Sequence, residues 1–176
     1  MTHSKSKIQS ICMIGLMTAV LAVMAQISIP LPVGVPMTLQ SLAVMFAGIL
    51  LGHKKGTYAT LIYILVGLIG IPVFSNFTGG YQCLVGPTGG FLLSFPLMAW
   101  LSGLGMKYRT HFRGALSLFL TLGNVVNLLC GTAMFCVVSG SALIVGVTSC
   151  ILPFLPITII KIVLAIIIGI QIRKRL

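Results

Sequence analysis

The chain has 176 residues, of which 58% are hydrophobic and 6% charged, with eleven Lys or Arg and no Asp or Glu. Average soluble domains carry about 25% charged residues, so a surface this poor in charge excludes a water-soluble globular domain. What remains is a protein that crosses a membrane several times, with no room for a domain outside it.

Each long apolar run is apolar on all sides, which in a bilayer means helix, because a helix satisfies its own backbone groups. At about 20 residues per crossing, six transmembrane helices are expected, forming a single all-α domain over residues 1–176. The first covers residues 8–29. It exceeds the signal-peptide core of roughly 7–15 residues, so it is expected to be retained, ending at Pro30 and Pro32. The second (37–51) and third (57–71) are short and are separated by Gly52-His53-Lys54-Lys55-Gly56. An uncharged link over 72–87, with Asn76, Gly79, Gly80, Tyr81 and Gln82, precedes the fourth span at 88–104. A basic break holding Lys107, Arg109, His111 and Arg113 leads to the fifth, 114–138. Residues 139–152 read either as a short re-entrant helix or as a further span. The sixth span, 156–172, ends at Arg173-Lys174-Arg175.

Basic residues occupy the N-terminal tail (Lys5, Lys7), the 2–3 break, the 4–5 break and the C-terminal tail, while the alternate links carry none. Six spans with both termini cytoplasmic produce this alternation under the positive-inside rule. The net positive charge is thus explained by membrane orientation, and no nucleic-acid partner is expected. Enzymatic chemistry is hard to build without a carboxylate. The five Cys, at 12, 83, 130, 136 and 150, lack metal-ligand spacing, so neither metal nor cofactor is expected. Gly86-Pro87-Thr88-Gly89-Gly90 lacks the Lys of a phosphate-binding loop.

One cation breaks the pattern. Lys161 stands inside the sixth span, about five residues from its outer end, or roughly 7–8 Å at the helical rise. A charge at that depth costs about 2.5–3.5 kcal/mol on insertion scales and marks a functional site. No carboxylate of this chain can neutralise it, so its partner is a lipid, another subunit or an anionic substrate. The bland alternative is a snorkelling side chain whose ammonium reaches the headgroups. Thr38 and Gln40, near the outer start of the second span, read alone as helix-joining groups, and Asn76 and Gln82 as turn residues. Gly15, Ala19 and Ala22 in the first span are small residues spaced to admit another helix, from this chain or from a partner.

The segments Ala25-Gln-Ile-Ser-Ile-Pro-Leu-Pro, Val35-Pro-Met-Thr-Leu-Gln-Ser-Leu-Ala-Val and Ala47-Gly-Ile-Leu-Leu-Gly carry a resemblance that continues through Gly70-Ile-Pro-Val-Phe, Gly79-Gly and Val85-Gly-Pro-Thr-Gly-Gly-Phe. With Leu152-Pro-Phe-Leu-Pro and Ile160-Lys-Ile-Val-Leu-Ala, the sequence resembles the BioY family, the biotin-binding S components of energy-coupling-factor (ECF) transporters. The match is close over 10–105 and lies mainly in spacing over 106–150. The resemblance implies a plasma-membrane protein with a biotin pocket open outward, docked to a transmembrane T component driven by two ATPase subunits. It assigns docking to Gly15, Ala19 and Ala22. It assigns biotin contacts to Lys161, Asn76, Gln40 and Tyr81, with biotin as transported ligand rather than cofactor. One departure is notable: the family writes Pro-Gly-Asp-x-x-Lys in the last helix, and this chain has Pro156-Ile157-Thr158-Ile159-Ile160-Lys161. Thr158 still shares a helical face with Lys161, but it cannot balance the charge. Two other classes stay open on the residues alone: a small scaffold or lipid-interacting subunit, and a self-sufficient carrier of a small organic anion.

Overall fold

The computed structural model of the chain describes residues 2–29, 35–112 and 114–175. Helix α1 (Thr2–Gln26) ends three residues earlier than expected. The chain then extends into β1 (Ser28–Ile29), which pairs antiparallel with β2 (Met37–Thr38) in the register Ser28↔Thr38 and Ile29↔Met37. This small ribbon corrects the purely helical reading; strands of two residues are too short to show the period-2 pattern that reveals a strand. Pro30 and Pro32, expected to stop the first helix, lie outside the described residues.

The second and third predicted helices are the two arms of α2 (Gln40–Leu68), broken at Gly52, whose φ of 80° and ψ of 172° lie outside the helical region. A side chain is strained at that φ, and Gly is not. The arms run antiparallel: Gln40 meets Tyr63 across the hairpin, and a Cβ on Gly56 would stand 2.5 Å from the Ala47 carbonyl oxygen. Glycine at 56 is therefore what lets the two backbones approach beside the turn.

The link that follows holds a single 3-10 turn (Ser75–Phe77) and the short helix α3 (Tyr81–Val85). Next come α4 (Gly89–Tyr108) and α5 (Ala115–Ser139). Residues 139–152 form no further span but a short helix, α6 (Leu143–Gly146), and a wide π-type turn (Val147–Ile151). The chain closes with α7 (Phe154–Arg173). Pro156 sits in its first turn, where the missing N–H breaks no helical bond.

Among the described residues, four helical stretches are long and apolar enough to cross a membrane: Lys7–Gln26, Gly89–Tyr108, Ala115–Ser139 and Phe154–Arg173. Side chains sort accordingly. Large apolar groups such as Ile11, Leu16, Ile69 and Val137 face outward, while Gln40, Thr60, Ser102, Asn124, Asn127 and Lys161 are buried. Lipid solvates the former, and the latter find hydrogen-bond partners only inside.

The main core gathers Leu21, Met45, Ile49, Tyr63, Met98 and Leu120, joining α1, both arms of α2, α4 and α5. At one end of the bundle, Lys55 Nζ donates to Ser10 Oγ of α1 (2.8 Å), Gly103 of α4 abuts the His53 backbone, and Arg173 of α7 donates to the Ile49 carbonyl. The basic breaks thus converge there, around the α2 turn. Ribbon, 3-10 turn, α3 and the 140–153 segment connect the helices at the opposite end.

Candidate functional site

A partly open cavity lies at the uncharged end. Its walls come from β2, the start of α2, the 3-10 turn, α3, α4, α5 and α7.

Lys161 enters from α7 and is 5% exposed, so the snorkelling alternative is not what the fold adopts. Nor is its ammonium without protein partners. Nζ donates to the Thr38 carbonyl (2.5 Å) and to Ser41 Oγ (3.0 Å). Both acceptors are neutral. An ammonium carries three N–H donors, so two protein acceptors among the described residues leave one donor, and the whole charge, facing the cavity. Thr158 lines the cavity one helical turn before it.

Gln40 is also buried and lines the cavity. Its Nε2 donates to the Tyr63 hydroxyl (2.5 Å), which donates to the Val73 carbonyl (2.9 Å). That relay fixes the Gln40 amide and ties the link at Val73 to the third predicted helix. The Tyr63 ring meets Phe74 edge-on at 5.5 Å, and Phe74 forms part of the wall.

Two predicted residues lie apart. Asn76 is exposed and outside the lining; its Oδ1 accepts a hydrogen bond from Ser28 Oγ (2.8 Å). The cause is local backbone: Asn76 and Phe77 adopt φ values of 58° and 55°, turning the loop tip away from the cavity. Tyr81, at the start of α3, is 70% exposed and also absent from the lining.

The cavity contains residues that the sequence reading passed over. Asn127 Nδ2 donates to the Phe91 carbonyl (2.9 Å) and Ser94 Oγ (2.7 Å), joining α5 to α4. Asn124 Nδ2 donates to the Leu120 carbonyl (2.9 Å). Both line the cavity, and among the described residues no donor reaches either side-chain carbonyl oxygen. The legible signal was Asn-x-x-Asn within an apolar span, placing two amides on one helical face. Phe91 and Phe154, stacked at 6.2 Å, add an apolar wall. The site thus presents one cation, two free amide oxygens and aromatic faces, a set suited to a flat, partly apolar molecule with N–H donors and one negative charge.

The three small residues expected to dock a partner are divided. Gly15 and Ala19 are exposed on α1, with open space where a Gly15 side chain would be. Ala22 is partly buried against the main core.

Comparison with known proteins adds independent information. The "Biotin transporter BioY2" of Lactococcus lactis subsp. cremoris is 38% identical over 178 aligned residues, covering 97% of this chain and 93% of that protein. The "Probable biotin transporter BioY" of Pyrococcus horikoshii is 40% identical over 117 residues, covering 65% and 72%. The fold superposes on a solved S component for biotin from an ECF-type ABC transporter with a TM-score of 0.87 at 28% identity, covering 97% of this chain and 93% of that one. With the profile described as "BioY family" matched over residues 1–176, the chain belongs to the BioY family.

Proposed function

We propose that this protein is the substrate-capture subunit of a vitamin importer. It binds biotin from outside and delivers it through a transmembrane T component driven by two separate ATPase subunits. The observation that carries the reading is the buried Lys161 ammonium, which opens into a cavity with only neutral protein partners. Biotin brings what that cavity lacks: a carboxylate for Lys161, as a charge-assisted contact, and ring N–H donors for the carbonyl oxygens of Asn124 and Asn127. Gln40 and Thr158 complete the polar wall, and Phe91 and Phe154 cover the apolar ring face. Asn76 and Tyr81, outside the lining, flank the mouth. The relatives and the superposed structure are named for biotin, which supports that choice of ligand.

In this reading the protein lies in the plasma membrane. The arms of α2 count as two of six spans, and both termini are cytoplasmic. The convergence of Lys54, Lys55, Lys107 and Arg173 at one end supports that orientation. Gly15 and Ala19 form the strip on which the T component docks. Burial of Lys161 counts against the scaffold reading, in which its charge would reach headgroups. This chain lacks the intramembrane acids that ion coupling in a self-sufficient carrier uses. Titration of the purified protein with biotin tests the capture role; uptake into vesicles with and without the partner subunits tests the dependence on them. Binding without unaided uptake is expected.

A further inference from the structure

The last residue of α1 grips the cavity wall. Gln26 Nε2 donates to the Phe74 carbonyl (3.0 Å), and Gln26 Oε1 accepts from the Phe77 backbone N–H (2.9 Å). One side-chain amide therefore spans the 3-10 turn from both sides. That turn is closed on itself by Phe74 N–H donating to the Thr78 carbonyl (2.9 Å), and it contains the two successive left-handed residues, Asn76 and Phe77. Non-glycine residues hold such a conformation only where their surroundings enforce it. Gln26 and Ser28, which donates to Asn76, are the groups from outside the link that bond to the strained residues. Phe74, Ser75 and Thr78 of the same turn line the cavity.

A second connection leaves the same end of α1. Ser28 pairs with Thr38 in the ribbon, and the Thr38 carbonyl is one of the two acceptors of Lys161. Two walls of one cavity are thus tied to the end of one helix, whose outer face is otherwise open along Gly15 and Ala19.

We propose that Gln26 is a positioning residue that couples α1 to the substrate cavity, holding the 74–78 turn closed over it so that a displacement of α1 opens that wall. The coupling to transport rests on the capture-subunit reading; the latch itself does not. Gln26 is not among the residues that line the cavity. It acts through backbone, and for that reason its chemistry is replaceable in part. Glu at 26 keeps an oxygen for the Phe77 N–H but loses the donor to Phe74. Ala loses both.

The test is amide hydrogen exchange on the ligand-free full-length protein in lipid nanodiscs, comparing wild type with Gln26→Ala and Gln26→Glu, followed by biotin dissociation rates. In Gln26→Ala, exchange at Phe77 and Thr78 is expected to rise about tenfold, the loss of two ordinary hydrogen bonds, with helical amides of α4 and α5 unchanged. Biotin dissociation rises by a similar factor. Gln26→Glu should keep Phe77 protected while showing an intermediate dissociation rate. Unchanged exchange over 74–78 in Gln26→Ala, or a rise shared equally by all helices, overturns the latch. Failure of wild type to bind biotin would sink the proposed ligand and leave the exchange result standing.

Discussion

Lys161 Nζ donates to the Thr38 carbonyl across 2.5 Å, joining the last helix to a two-residue strand 123 positions earlier in the chain. The bond explains how a cation can be buried in a chain without acids. A backbone carbonyl supplies partial negative charge in a fixed direction, and Ser41 supplies a second oxygen. Neither cancels the charge, so the binding site is preorganised and electrostatically unfinished.

Replacing Lys161 with Met removes the charge while keeping most of the side-chain volume. A hydrogen bond to a charged group contributes about 1.5–3 kcal/mol, so biotin affinity should fall about 10- to 100-fold. Thermal stability without ligand should hold or rise, because a buried ammonium is removed. Titration calorimetry and a melting curve measure the two effects.

Thr158 stands where the family motif carries an acid. Thr158→Asp places a carboxylate one turn from the ammonium. It should stabilise the ligand-free protein by about 1 kcal/mol, the upper range for a partly solvated pair. The rise in melting temperature on adding biotin should shrink, since the guest no longer supplies the sole negative charge. A lower ligand-free melting temperature in this variant would show that the ammonium is already balanced.

Asn127 joins α5 to α4 and also leaves its carbonyl oxygen to the cavity. Asn127→Ala should lower unfolding stability by about 0.6 kcal/mol, the average for interhelical bonds in membranes, and by no more than about 1.7 kcal/mol, the largest value. It should weaken biotin binding as well. An affinity unchanged from wild type would restrict Asn127 to helix joining.

The three small residues of α1 should separate by exposure. Gly15→Leu and Ala19→Leu project into open space. They should abolish biotin uptake in cells carrying the partner subunits while changing stability by less than about 0.5 kcal/mol. Ala22→Leu instead meets the core and should destabilise by about 1–3 kcal/mol through overpacking. Uptake assays paired with melts distinguish the two patterns.

Much of this architecture was legible because lipid imposes simple rules. Uniform apolar runs had to be helices, and the basic breaks marked where they turn. Lys161 announced itself by being the one cation inside a run. The α2 hairpin was legible from Gly52 to Gly56, although not that it turns on a single non-helical residue. The ribbon and the placement of Asn76 were hidden, since strands of two residues carry no periodicity and the left-handed pair Asn76–Phe77 meets Ser28 of β1 and Gln26 of α1, groups some fifty positions earlier in the chain. Asn124 and Asn127 were visible as polar residues in an apolar span, but only the fold shows that they line the same cavity as Lys161.

In the proposed site the ammonium of Lys161 receives the carboxylate of biotin. The direct measurement is a side-by-side titration of the purified wild-type protein and Lys161→Met with biotin and with biotin amide, which is uncharged but otherwise alike. Wild type should prefer biotin by about 10- to 100-fold, and the preference should disappear in Lys161→Met. Equal affinity of the wild type for the two compounds would contradict this role of Lys161.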